Sequence, residues 1–141
     1  MCVLFIAWQM HPDYPLVIVA NRDEYIDRPT AALARWPDHP SIIAGRDLQA
    51  GGTWLGANTQ QRVAALTNIR RPNLMRADAK SRGELVTRYL DHSLTHESYC
   101  TWLMQTAADY NPFNLLFGSA EQLFTFNSIS GQIEQLSAGF H

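Results

Sequence analysis

Hydrophobic residues run along this chain in two rhythms. The first is continuous. "VLFIAW" at 3–8 and "LVIVA" at 16–20 are unbroken apolar runs, rich in β-branched and large residues and bounded by proline and polar clusters. Runs of that kind read as strands buried on both faces. The segment 11–15 between them, "HPDYP", carries Pro12 and Pro15, which cannot sustain ladder pairing, so it reads as a turn. The spacing predicts an antiparallel hairpin of 3–8 with 16–20. Residues 25–50, punctuated by Pro29, Pro37 and Pro40, read as an irregular excursion. A second hairpin follows, with 53–57 turning at 58–61 and returning through 62–68.

The rhythm then becomes helical. Ser81 and Glu84 have capping-box spacing, and Leu85, Val86, Tyr89 and Leu90 share one face behind them. Tyr99, Trp102, Leu103, Thr106 and Tyr110 recur at helical spacing and mark a second helix, stopped by Asn111-Pro112. Cys100 falls off that helix's apolar face and reads as structural or inert. Strands resume with "FNLLFG", "LFTFN" and "QIEQL", the last two joined across Ser130-Gly131. Four strands, two helices and three strands predict one α+β layered domain over 1–141.

Composition narrows the function classes. The chain has 141 residues, 46% hydrophobic and 17% charged, enough for one domain with a real core. Its net charge of -2 includes no polybasic tract, so no nucleic-acid partner is expected. The apolar runs are too short for a transmembrane segment, and no charged n-region marks a signal peptide. Two cysteines make no disulfide framework. Together these predict a reduced, cytoplasmic protein. The histidines are scattered and no Cys-x-x-Cys occurs, so no metal site is expected. His11 and His39 read as solvated loop residues, and His92 and His96 as helix-end residues. Gly51-Gly52 reads as a turn or a close backbone approach; no helix follows it, which excludes a phosphate-binding loop.

The candidate chemistry comes from register. With the first turn centred near 12–13, Cys2 falls opposite some residue of 22–24. With the second centred near 59–60, Asn68 falls opposite Gly51 or Gly52. Alternating strand directions then gather Cys2, the tetrad Asn21-Arg22-Asp23-Glu24 and Asn68 at one edge of a sheet. A small residue at position 2 permits removal of Met1, which leaves Cys2 with a free α-amine. One residue then carries a thiol nucleophile and an amine base. Arg22, a fixed cation, favours the thiolate. Asp23 holds the α-ammonium, and Asn68 donates an amide N–H to an oxyanion. Trp54 is either core or pocket wall.

Cys first, Arg and Asp ending the next strand and Asn ending a later one resemble the cysteine branch of the N-terminal-nucleophile hydrolases, which includes penicillin V acylases and bile-salt hydrolases. A fuller resemblance is carried by "MCVLFIAW", "VIVANRDE", "GGTWLGAN", "AALTNIR", "SRGELV" and "NPFNLLFG". These motifs, in this order, are similar to the NRDE family, also called the transport and Golgi organisation family. The resemblance implies an N-terminal-nucleophile-hydrolase-like layered sandwich of αββα type, of which this chain holds the N-terminal part. "LSAGFH" reads as the start of a further motif. For function it implies hydrolysis of a C–N amide bond through a Cys2 thioester. Cys2, Arg22, Asp23 and Asn68 are then the catalytic residues, with Asn21, Glu24 and Trp54 as substrate contacts and no cofactor required. The alternative is a non-catalytic carrier that binds heme in the same pocket and moves it within the cell. Either way the expected partner is a small molecule.

Overall fold

A computed structural model describes residues 2–141. Its elements are β1 (Val3–Trp8), β2 (Leu16–Asn21), β3 (Thr30–Arg35), β4 (Ile42–Asp47), β5 (Leu55–Asn58), β6 (Val63–Asn68), α1 (Gly83–Leu90), α2 (His96–Thr106), β7 (Phe113–Gly118), β8 (Leu123–Asn127), β9 (Gln132–Gln135) and β10 (Gly139–Phe140). The class is α+β, mostly sheet. The strands form two antiparallel sheets, β10-β1-β2 and β3-β4-β5-β6-β7-β8-β9.

Two strands occupy what reads in sequence as an irregular excursion. Pro29 and Pro37 lie just outside β3, and Pro40 lies in the turn before β4, so the prolines bound the strands instead of breaking a ladder. β3, "TAALAR", is an exposed edge strand with few β-branched residues and a register shift between Ala31 and Ala34, which hides it from propensity and periodicity alike. β4 is anchored by Ile42 and Ala44, both buried, and by Trp36, whose Nε1 donates to the Ala44 carbonyl at 3.2 Å. "LSAGFH" supplies a further strand, β10, which sets Phe140 opposite Ala7.

The layers follow from side-chain alternation. One face of the long sheet meets the helices. Ala64, Leu66, Leu115 and Phe117 pack there with Leu85, Leu90, Tyr99 and Leu103. The opposite face, through Ala65, Leu116 and Leu123, packs against Ile6 and Trp8 of the short sheet. The order is helices, long sheet, short sheet. The expectation that the first hairpin is buried on both faces is therefore corrected. Phe5 is 65% exposed and Val17 and Val19 are exposed, while their neighbours Ile6 and Trp8 are buried. A run that reads as continuously apolar is here a strand with one buried face, because its outward residues are also large and apolar.

The helix ends differ from each other. Thr95 caps α2, its side chain accepting from the Ser98 N–H. α1 has no side-chain cap, so the Ser81–Glu84 capping box is not formed; only the Ser81 carbonyl accepts from Glu84 N. Tertiary contact fixes this helix start instead, as described below. Cys100 is not clear of the core, as its place off the apolar face suggests: it is half-buried against the helical core, with Sγ 3.5 Å from His96 Nε2. Burial pushes its thiol up, aided by Glu97, which fits a structural residue.

His96 opens α2 and lies against Phe124 and Phe117, at 4.5 and 5.5 Å between ring centroids. Burial holds its pKa below the ordinary 6.5. The folded state thus resists a proton that the unfolded chain accepts. The stability this contributes is complete above about 6.5 and is lost as pH falls from there through the lower folded value. The urea midpoint should accordingly fall more between pH of about 7.5 and about 5.5 in the native protein than in His96→Gln. Equal losses in the two proteins would remove His96 as the cause.

Candidate functional site

The first hairpin delivers its ends together. Val3 lies opposite Asn21, so the chain preceding β1 runs beside the residues that follow β2. The result is a contact between Cys2 and Asp23: the Asp23 N–H donates to Cys2 Sγ at 3.4 Å. Cys2 thus meets the tetrad inside the expected window 22–24. Removal of Met1, and an Asp23 contact to the resulting α-ammonium, lie outside the described residues. Asp23 also accepts from Arg70 Nη2 at 2.9 Å.

Asn68 arrives from the other sheet. It ends β6, where its backbone is level with Phe113 of β7. Leu55 lies opposite Ala65, and continuing that register sets Asn68 level with Gly52. The expectation of a single sheet edge is therefore corrected: Cys2 and the tetrad belong to the short sheet and Asn68 to the long one. They still meet, because both line one pocket of about 460 Å³ at the end of the layered stack. Trp54 lines it too, half-buried and packed against the helical core, so it serves as core and as pocket wall. Among the described residues the Asn68 carboxamide makes no hydrogen bond within the protein, which leaves its N–H groups available. Asn21 is not brought in; it is exposed at the end of β2 and outside the pocket lining.

Charge organises the pocket wall. Arg22 Nη2 donates to Glu24 Oε2 at 3.3 Å, so the tetrad pairs internally, and the described residues show no hydrogen bond from Arg22 to the Cys2 sulfur. Arg28 reaches Asp47 through Nε at 3.0 Å and Nη2 at 2.7 Å, with Glu24 3.9 Å away. Asp47 is held by more than this pair, since the Gln49 and Ala50 N–H groups also donate to its Oδ1. Burial pushes its carboxyl up, but the Arg28 hydrogen bond and the two backbone donors outweigh that and leave it below the usual carboxylate range. The same Asp47 bond raises Arg28.

The opposite wall is the start of α1. Gly52 and Gly83 are in backbone contact: a Cβ on Gly52 would come within 2.6 Å of the Gly83 carbonyl carbon. Only glycine permits this approach. It presses the turn before β5 onto the helix start, and Ser81, Arg82 and Gly83 all line the pocket. Arg82 is half-buried, and its Nη1 donates to the Pro112 carbonyl at 3.0 Å. Arg28, Asp47 and Arg82 are absent from the sequence-derived site. The first two sit in the segment read as irregular. Arg82 sits in "SRGE", where the capping pattern explains Ser81 and Glu84 and leaves nothing to single out the arginine.

The wall offers a thiol, several guanidinium groups and an amide. Among the described residues no cluster of three or more His, Cys, Asp or Glu side chains is placed to hold a metal. Such a wall suits a polar small molecule whose electrophilic or soft centre meets Cys2.

Comparison with known proteins accords with the motif order. The family described as Transport and Golgi organisation 2 matches residues 1–141. The chain is 37% identical over 123 residues to the Transport and Golgi organization protein 2 homolog of Bos taurus, covering 82% of this chain and 44% of that protein. The Homo sapiens homolog gives the same identity and coverage. Transport and Golgi organization protein 2 of Drosophila melanogaster is 32% identical over 139 residues, covering 86% of this chain and 48% of that protein. The chain thus spans less than half the length of these relatives.

Proposed function

Because the chain belongs to the Transport and Golgi organisation 2 family, we propose that its pocket is a small-molecule site in which Cys2 attacks the carbonyl carbon of a C–N amide bond. The observation that carries this reading is the convergence of Cys2, Asp23 and Asn68, from two sheets, on one pocket. Helices over two stacked sheets, with the thiol at the head of the first strand, support reading the fold as N-terminal-nucleophile-hydrolase-like, although the described residues place helices on one side of the stack only. In this reading Met1 is removed and the Cys2 α-amine takes the thiol proton. Sγ bonds to the carbonyl carbon, and Asn68 Nδ2 donates to the oxygen as it becomes negative. The C–N bond then breaks, the amine nitrogen leaves with the proton, and an acyl thioester remains on Cys2. Water adds to the thioester and releases the acid and the free thiol. Asp23 orients the α-amine, while Arg22 and Glu24 fix the strand end through their ion pair.

The test is covalent trapping. The protein is incubated with short-chain acyl p-nitroanilides, quenched in acid and weighed both intact and after digestion. An acyl mass on the peptide that begins with Cys2, absent in Cys2→Ala, is the expected result. Met1 retained in most molecules would leave the reaction without its base, and no adduct with any acyl group would end the hydrolase reading.

A second reading has one observation in its favour. Among the described residues lining the pocket, Cys2 is the only thiol and there is no imidazole. A non-catalytic carrier would hold heme through the Cys2 thiolate, within the intracellular trafficking role that the family resemblance implies. The Soret band would then shift in Cys2→Ala and stay unchanged in His11→Ala and His39→Ala.

A further inference from the structure

Five cationic side chains line the pocket against three carboxylates. Four of the five are already matched. Arg22 pairs with Glu24 at 3.3 Å, and Arg28 pairs with Asp47 at 2.7 Å. Arg46 pairs with Asp38, and Lys80 with Asp109, each at 2.7 Å. Arg82 is the exception. Among the described residues it has no carboxylate within ion-pair distance, and its single hydrogen bond goes to the Pro112 carbonyl. A guanidinium carries five N–H donors in a planar fork. Four of these have no partner among the described residues, on a side chain partly withdrawn from water at the pocket wall. Burial lowers its pKa, and the charges it faces are Cys2 and Glu24, both lining the same pocket. An anion that enters the cavity and displaces water from these donors gains a charge-assisted pair, and the fork matches a carboxylate through two parallel hydrogen bonds.

We propose that Arg82 receives a carboxylate of the ligand, so that the pocket selects carboxylate-bearing molecules and presents their reactive part to Cys2. The proposal rests on the reading of Cys2 as the reacting or ligating group. The carboxylate belongs either to an N-acyl amino acid, for the hydrolase, or to a heme propionate, for the carrier.

The experiment compares two alkylating agents that differ in charge. Iodoacetate carries a carboxylate and iodoacetamide does not; both form the same C–S bond with loss of iodide. Rates at Cys2 are followed by mass spectrometry of its peptide, with mercaptoethanol in the same mixture as the free-thiol reference. The iodoacetate-to-iodoacetamide rate ratio at Cys2 should exceed that of mercaptoethanol by about tenfold, as one charge-assisted pair allows. Arg82→Met should bring it to within about twofold of the reference, and Arg82→Lys should keep part of the excess. A ratio at Cys2 equal to the reference, or one that survives Arg82→Met, overturns the proposal. So does an equal slowing of both reagents in Arg82→Met, which would make Arg82 a thiolate-stabilising group only. Slow alkylation by both reagents in the native protein would count against the Cys2 reading, while the ratio would still decide the role of Arg82.

If the Arg82 variants do not fold, native protein suffices. N-acetylglycine should protect Cys2 and N-acetylglycinamide should not, or hemin should protect it and its dimethyl ester should not. The pair that differs identifies the source of the carboxylate, and no difference in either pair rejects it.

Discussion

Trp8→Ala should lower stability by about 3–5 kcal/mol, the largest loss expected of any single change to the first hairpin. Trp8 ends β1 and is 2% exposed, packed with Ile6, Leu116 and Leu123 between the two sheets. Removing the indole leaves a cavity that neither sheet can close alone, since each is held by its own ladder. For a domain of this size the loss corresponds to a fall in Tm of roughly 10–15 °C. The matched control lies three residues away on the opposite face. Phe5→Ala removes a side chain that is 65% exposed, and its effect should stay within about 0.5 kcal/mol. Urea denaturation of both variants, with the m-value recorded, makes the comparison. Equal losses would show that the outer face of the short sheet is covered in solution and that the layer order described above is incomplete.

Gly52→Ala should cost about 2–3 kcal/mol, by a different route. No cavity is made; instead a methyl group is forced into the backbone of Gly83, 2.6 Å from its carbonyl carbon. The contact is backbone against backbone, so no side chain can turn aside to relieve it. Either the turn before β5 or the start of α1 must move, and both carry pocket residues. Gly131→Ala is the control: its φ of +68° also favours glycine, but a Cβ there meets nothing within 4 Å, so the expected cost is only about 1 kcal/mol. The Gly52 variant should also alter Cys2 alkylation rates, which the Gly131 variant should leave alone. A Gly52→Ala protein as stable as Gly131→Ala would mean that the two glycines are not in contact.

Much of the site was legible in the sequence because hairpin register is arithmetic. Two prolines fixed the first turn, and once it was placed Cys2 had to fall near Asp23. The same counting set Asn68 level with Gly51 or Gly52, and the structure selects Gly52. What counting could not supply was sheet membership. Register relates a strand only to its partner, and nothing in 3–8 or 62–68 says that the two hairpins stack face to face instead of joining edge to edge. The burial of the first hairpin was misread for a related reason: apolarity reports what a face would tolerate, not whether a layer covers it. β3 escaped because its alanines and exposed Leu33 carry neither alternation nor β-branching. Arg28 and Asp47 escaped because they pair with each other across nineteen positions, and pairing across such a distance leaves no local pattern.

The division of the pocket between two sheets makes one buried alanine into a spacer. Ala65 is fully buried where the long sheet meets the short one. It makes no contact with the pocket, yet its size helps set the gap between the layers, and that gap sets how far Cys2 stands from Asn68. A valine or leucine at position 65 would act as a wedge, lifting one half of the site off the other without altering any residue that touches a ligand. Tolerance to change at position 65 should therefore follow the spacing between Cys2 and Asn68 as well as the packing of the fold.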